Sequence, residues 1–156
     1  MDTKIAIVIL NWNGRSYLQQ FLPSVIENST IAGTEIIVVD NCSTDDSLEL
    51  LEEKFPSVRA IKLKKNYGFA KGYALSLPQI QAEYYVLLNS DVEVTENWLE
   101  GPARMMDNDK TIAAVMPKIK SYIRKDFFEY AGAAGGFIDK FGYPFCRGRM
   151  DIRIYR

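Results

Sequence analysis

Apolar and polar positions follow two distinct rhythms along residues 1–117. Ile5-Ala-Ile-Val-Ile-Leu10 and Glu35-Ile-Ile-Val-Val-Asp40 are short, β-branched apolar runs closed by polar turn residues. That is the pattern of parallel strands covered on both faces. Val58-Arg-Ala-Ile-Lys-Leu63 alternates instead, which predicts a strand nearer a sheet edge. Tyr84-Tyr-Val-Leu-Leu88 predicts a fourth strand, and Ile112-Ala-Ala-Val-Met116 a fifth that Pro117 ends.

Helical spacing fills the gaps. Residues 16–27 place Leu18, Phe21, Leu22, Val25 and Ile26 on one stripe. Residues 45–54 do the same with Leu48, Leu51 and Phe55, and Ser43 or Thr44 is positioned to cap that helix. Residues 70–80 and 96–106 predict two further helices, with Trp98, Met105 and Met106 as core positions. Strand–helix repetition of this kind implies right-handed crossovers and an α/β fold with a mostly parallel sheet and helices on both faces. After Pro117 the alternation stops. Ala131-Gly-Ala-Ala-Gly-Gly136 is a glycine-rich break, followed by aromatics and turn residues that predict short strands and loops. The alternating stretch Ile152-Arg-Ile-Tyr-Arg156 carries no stop signal, as expected of a chain cut in mid-fold.

Composition narrows the function. At 156 residues, 47% hydrophobic and 25% charged, the chain has the balance of one globular α/β domain. His is absent, which removes every His-based mechanism. A net charge of −1 argues against a nucleic-acid coat. No apolar run approaches the roughly 20 residues of a membrane helix, and the N-terminus lacks a signal-peptide pattern. Cys42 and Cys146 are far apart and read as reduced thiols of a cytoplasmic protein, with a single disulfide as the alternative. The charge is segregated: residues 1–117 hold 10 basic and 16 acidic side chains, residues 118–156 hold 9 and 4. This basic, aromatic tail is either a solvated face beside a small core or a surface for anionic lipid or a phosphate-bearing substrate.

In open parallel sheets ligands bind beyond the carboxyl ends of the strands. The segments there are Asn11-Trp-Asn-Gly14, Asp40-Asn-Cys-Ser-Thr-Asp45, Asn66-Tyr-Gly-Phe-Ala-Lys-Gly72 and Asn89-Ser-Asp91, all polar and turn-forming. Asp40 can accept from a base imide or a ribose hydroxyl, or else cap the next helix. Asp91 suits Mg²⁺ or Mn²⁺, which take one or two protein oxygens plus phosphate and water; the alternative is a turn-forming Asp. Gly68 and Gly72 allow close backbone approach, and Lys71 can neutralise phosphate. Trp12 can stack on a base or pack beneath its loop. Neither GxxxxGK[ST] nor GxGxxG is present. The residues by themselves therefore indicate a nucleotide-binding α/β domain with a divalent metal.

The four loops together resemble the family 2 glycosyltransferases of GT-A fold. The matching segments are Val8-Ile-Leu-Asn-Trp-Asn-Gly14, Val38-Val-Asp-Asn-Cys-Ser-Thr-Asp45, Asn66-Tyr-Gly-Phe-Ala-Lys-Gly72 and Leu87-Leu-Asn-Ser-Asp91. Their order and placement after successive strands give the likeness its specificity, and the second and third are most similar to the rhamnosyltransferase-like branch. The resemblance covers residues 4–117 well and the tail loosely. It implies a donor-binding core over 1–117 and the start of an acceptor-side region over 118–156. The donor would be a nucleotide-diphospho-sugar held by Leu10, Asn11, Trp12, Asp40, Asn66, Gly68, Lys71 and Ser90. Asp91 would hold Mn²⁺ or Mg²⁺ from the last position of the family's Asp-x-Asp motif, whose first position is Asn89 here. The reaction would invert the anomeric centre, in the cytoplasm or at the inner face of the membrane, onto a saccharide or lipid-linked acceptor. The family's general base is expected beyond the segment where this chain ends, because Asp139 and Asp151 lack its surrounding residues. Two other readings are a catalytically incomplete nucleotide-binding or interaction module that self-associates through an unsatisfied edge, and a nucleotidyltransferase. Asn11-Trp-Asn-Gly-Arg15 fits the glycine-rich basic loop of the latter poorly.

Overall fold

The computed structural model describes residues 3–129, 136–138, 140–142 and 144–146. The chain forms two compact units, residues 1–103 and 104–156.

The first unit is built on a four-stranded parallel sheet of β1 (Ile5–Asn11), β2 (Thr34–Asp40), β3 (Arg59–Lys62) and β4 (Tyr84–Asn89). The strand order is β3-β2-β1-β4. The unbroken apolar runs become the two central strands because only there are both faces covered. Ile5, Ile7, Ile9 and Val38 pack on one face with Leu18, Leu22 and Val25 of α1 (Arg15–Asn28) and with Leu50 and Leu51 of α2 (Ser47–Lys54). Ala6, Val8, Ile37 and Val39 pack on the other with Tyr73 of α3 (Phe69–Ser76) and with Ile80. Burying one such aliphatic side chain contributes about 1.5–3 kcal/mol. Tyr73 keeps its phenol protonated: burial pushes its pKa up, and its hydroxyl lies 3.3 Å from the Leu88 carbonyl. The alternating third strand sits at the edge, as its pattern predicts.

Several boundaries and one element differ from expectation. Residues 112–116 form no strand. Ala113, Ala114 and Met116 are exposed there, and a run with two alanines offers too little apolar area to favour a buried strand. The helix α4 starts at Glu100 and ends at Asn108, and Met105 is exposed rather than core. Trp98 is half-buried against the core and donates to Ser29 Oγ. The third helix ends at Ser76 and passes into a 3₁₀ turn, Leu77–Gln79, where Pro78 has no amide to continue the ladder. The α2 helix is capped by neither Ser43 nor Thr44. Asp46 occupies the N-cap, while Asp45 Oδ1 accepts from both the Ser47 amide and its hydroxyl.

In the second unit, β5 (Gly136–Ile138) and β6 (Pro144–Cys146) pair antiparallel. Residues 119–129 fold back on themselves through a bridge between Lys120 and Phe128. Residues 131–135, Asp139 and residues 147–156 lie outside the described residues, and with them the glycine-rich break and the terminal alternating stretch.

Candidate nucleotide-binding site

All four sequence-marked loops leave the same edge of the sheet. The register pairs Asn11 with Asp40, Leu10 with Asn89 and Asp40 with Lys62. Because β2 and β3 extend to one side of β1 and β4 lies on the other, strand order reverses between β1 and β4. This switch point is where loops diverge and leave a crevice.

The first two loops are stitched together by side chains. Asn11 is fully buried; its Nδ2 donates to Asp40 Oδ1 at 3.4 Å and to Ser43 Oγ at 3.3 Å. Its Oδ1 is buried and makes no hydrogen bond. Asn13 takes a left-handed backbone (φ 51°), a conformation its short polar side chain tolerates. That turn aims Asn13 Oδ1 at the Thr44 amide, 2.7 Å away, and lets the Asn13 amide donate to Ser43 Oγ. The Arg15 amide donates to Asp45 Oδ2 at 3.0 Å. Burial raises the Asp45 pKa, but hydrogen bonds from Ser47 and from the Arg15 amide outweigh it and hold the carboxyl below its ordinary value.

Asp40 is buried at the end of β2, with Oδ2 accepting from the Ser43 amide. The carboxylate therefore shapes its own turn and does not cap α2. Trp12, 57% exposed, presents its ring to solvent rather than packing beneath the loop.

The third loop is held by a residue that sequence reasoning passed over. Asn41, buried beside Asp40, donates to Asn66 Oδ1 at 3.0 Å and to the Gly68 carbonyl at 3.2 Å, and accepts from the Tyr67 amide at 2.9 Å. The signal was an Asn directly after a strand-ending Asp, hidden by its adjacency to a more conspicuous carboxylate. Gly68 has φ 74° and opens α3, a conformation that favours glycine. Gly72 brings α3 against β1: a Cβ there would meet Leu10 Cδ1 at 2.9 Å. Lys71 is exposed and stands 5.5 Å from the Tyr67 ring centre, with Lys65 at 5.3 Å from the same ring.

Ser90 is half-buried and Asp91 exposed just past β4. A Cβ at Gly14 would lie 3.6 Å from Ser90 Oγ, so the fourth loop closes against the first. Among the described residues no three His, Cys, Asp or Glu side chains gather as a metal cluster. Cys42 is a free, exposed thiol.

A family model described as "Glycosyl transferase family 2" matches residues 6–150. The chain belongs to that family. Its fold is accordingly the GT-A arrangement. Among family 2 relatives, an uncharacterized glycosyltransferase of Haemophilus influenzae is 25% identical over 125 residues, covering 78% of this chain and 38% of the relative. The putative teichuronic acid biosynthesis glycosyltransferase TuaG of Bacillus subtilis is 29% identical over 105 residues, covering 65% of this chain and 41% of the relative. The family 2 chain thus spans about two fifths of the length of these curated relatives. Among solved structures, S. aureus TarS 1-349 in complex with UDP-GlcNAc superposes with a TM-score of 0.61 at 21% identity, covering 76% of this chain and 38% of that one. Among the described residues no helix is long and apolar enough to cross a membrane.

Proposed function

We propose that this chain captures a nucleotide-diphospho-sugar donor for an inverting, metal-dependent glycosyl transfer to a saccharide or lipid-linked acceptor in cell-envelope polymer synthesis. The observation that carries the reading is the buried Asp40 carboxylate at the β1–β2 edge, held by Asn11 and the Ser43 amide beside the switch-point crevice. In that position it accepts hydrogen bonds from the base, with Leu10, Asn11 and Trp12 alongside. The loop 66–72 lies along the nucleoside and diphosphate, where Gly68 allows close approach, Lys71 supplies charge and Ser90 faces the first loop. TarS was solved with UDP-GlcNAc, which makes UDP the first nucleotide to test. The pairing of the second and third motifs favours the rhamnosyltransferase-like branch.

The donor set after β4 fits a hard divalent cation. Asp91 offers one carboxylate and Asn89 an amide oxygen, and Mg²⁺ or Mn²⁺ commonly takes one or two protein carboxylates with phosphate completing its shell. A cation bound there supplies Lewis-acid stabilisation of charge on the diphosphate. In the transfer, the acceptor hydroxyl oxygen bonds to the anomeric carbon as the bond to the diphosphate breaks. The nucleoside diphosphate leaves and the hydroxyl proton passes to a base. None of the described carboxylates is assigned that role.

The test is calorimetric titration of the chain with UDP, dTDP and GDP, each with and without Mn²⁺. One nucleotide binds in a Mn²⁺-dependent manner, Asp91→Ala removes the Mn²⁺ dependence, and Asp40→Asn weakens binding at least tenfold. Asp40→Asn retains an acceptor for the Ser43 amide, and unchanged circular dichroism verifies that the variant folds. Nucleotide binding that is the same in both variants overturns the assignment.

A further inference from the structure

The second unit carries a structure that the donor site does not use. Residues 119–129 form a narrow ribbon: the Ser121 amide donates to the Phe127 carbonyl at 2.9 Å, and the Glu129 amide to the Ile119 carbonyl at 3.2 Å. A turn closes its tip, with the Phe127 amide donating to the Arg124 carbonyl at 2.9 Å and the Arg124 amide to Ser121 Oγ at 3.3 Å. The tip is therefore ordered by its own hydrogen bonds, and it points apolar side chains outward. Ile123 is 91% exposed, and Ile119, Tyr122 and Phe127 are also exposed.

Cations are interleaved with these rings. The Arg124 guanidinium lies 4.6 Å from the Phe127 ring centre, the Lys125 ammonium 5.8 Å from Tyr122, and the Lys118 ammonium 5.9 Å from Phe128. Lys120 adds a fourth positive charge, against Asp126 and Glu129. Single exposed apolar residues are ordinary on protein surfaces, but an aliphatic tip flanked by two aromatic–cation pairs, Arg124–Phe127 and Lys125–Tyr122, is a specific combination.

We infer that the ribbon 119–129 is a docking element for an anionic lipid surface. The Ile123 side chain would enter the boundary between headgroups and acyl chains, a transfer favoured by its lost exposure to water. Tyr122 and Phe127 sit at headgroup level, where amphipathic and aromatic rings are favoured. Arg124, Lys125, Lys118 and Lys120 then meet lipid phosphates, with their stems along the apolar surface. Ile123 is what selects lipid over a soluble phosphate ligand or a nucleic acid, because an aliphatic tip has nothing to offer a phosphate or a base edge. The attachment lies on the surface.

The experiment is sedimentation of the full chain with vesicles of phosphatidylglycerol mixed with phosphatidylcholine, and with phosphatidylcholine alone. The chain sediments with the anionic vesicles only, and less so as ionic strength rises. Ile123→Asp abolishes the binding, and the double variant Arg124→Gln/Lys125→Gln weakens it by about fivefold per cation removed. All these positions are exposed, and unchanged circular dichroism verifies that the variants fold. UDP titration of the same variants matches the parent, so failure here is separable from failure of the donor-site reading. No sedimentation with either vesicle, or equal binding by Ile123→Asp, overturns the inference. Binding that inorganic phosphate displaces and Ile123→Asp leaves intact assigns the cations to a soluble anion instead, and also overturns it.

Discussion

The Asn41 carboxamide donates to Asn66 Oδ1 at 3.0 Å, so the residue beside Asp40 fixes the loop that follows β3. Together with its bonds to the Tyr67 amide and Gly68 carbonyl, this makes one buried side chain the link between the second and third loops.

Removing that link should loosen the site without touching it directly. Asn41→Ala leaves the Tyr67 amide without its acceptor, and we expect a loss of about 1–3 kcal/mol in urea unfolding. UDP affinity should fall with it. Asn41→Asp can still accept from the Tyr67 amide but sets a carboxylate against the Asn66 Oδ1 and Gly68 carbonyl acceptors, so its affinity should fall at least as far as that of Asn41→Ala. A folded Asn41→Ala chain with parental UDP affinity would show that the loop holds its shape by other means.

Gly14 is constrained by space rather than by backbone angle. Its φ of −108° suits any residue, yet a Cβ there would clash with Asn11 Oδ1. Asn11 is fully buried and hydrogen-bonded to Asp40, so it has nowhere to retreat. Gly14→Ala should therefore cost about 1–3 kcal/mol. Adding Asn11→Ala removes the clashing oxygen, and the double variant should be more stable than the sum of the two single losses implies. Strict additivity in denaturant titrations would mean the two positions do not meet.

Asp45 sets an acid limit on stability. Its carboxyl is held below its ordinary value in the folded chain, so the folded state binds that proton less readily than the unfolded state. The associated stability is present above the unfolded value of about 3.8 and is lost as pH falls through the lower folded value. Urea midpoints between pH 5 and pH 3 should fall less steeply for Asp45→Asn than for the parent. Parallel curves would place the acid sensitivity elsewhere.

The central strands were legible because their residues have one way to be buried. Ile5, Ile7 and Ile9 on one face and Ala6 and Val8 on the other leave no polar side for solvent. The edge position of β3 followed from its alternation. The apolar run at 112–116 misled, since apolar character without bulk does not create a core. Met105 misled for a related reason: helical spacing locates a stripe but not whether another element covers it. Within the site, residues that end strands were visible, while Asn41 was not. Its role depends on what the third loop places opposite it, 25 residues further along the chain.

The arrangement of the sheet also orders its own assembly. Ile5 of β1 pairs with Thr34 on one side and with Tyr84 on the other. The first pairing closes a much shorter stretch of chain than the second, and loop-closure entropy grows with the length enclosed. Parallel pairings over long separations are the slow ones. During synthesis, β1 can zip to β2 while β4 is still inside the ribosome. The crevice between β1 and β4 is therefore among the last features of the sheet to exist. A nascent chain stalled before Tyr84 would carry Asp40 at its strand end but no cleft in which to use it.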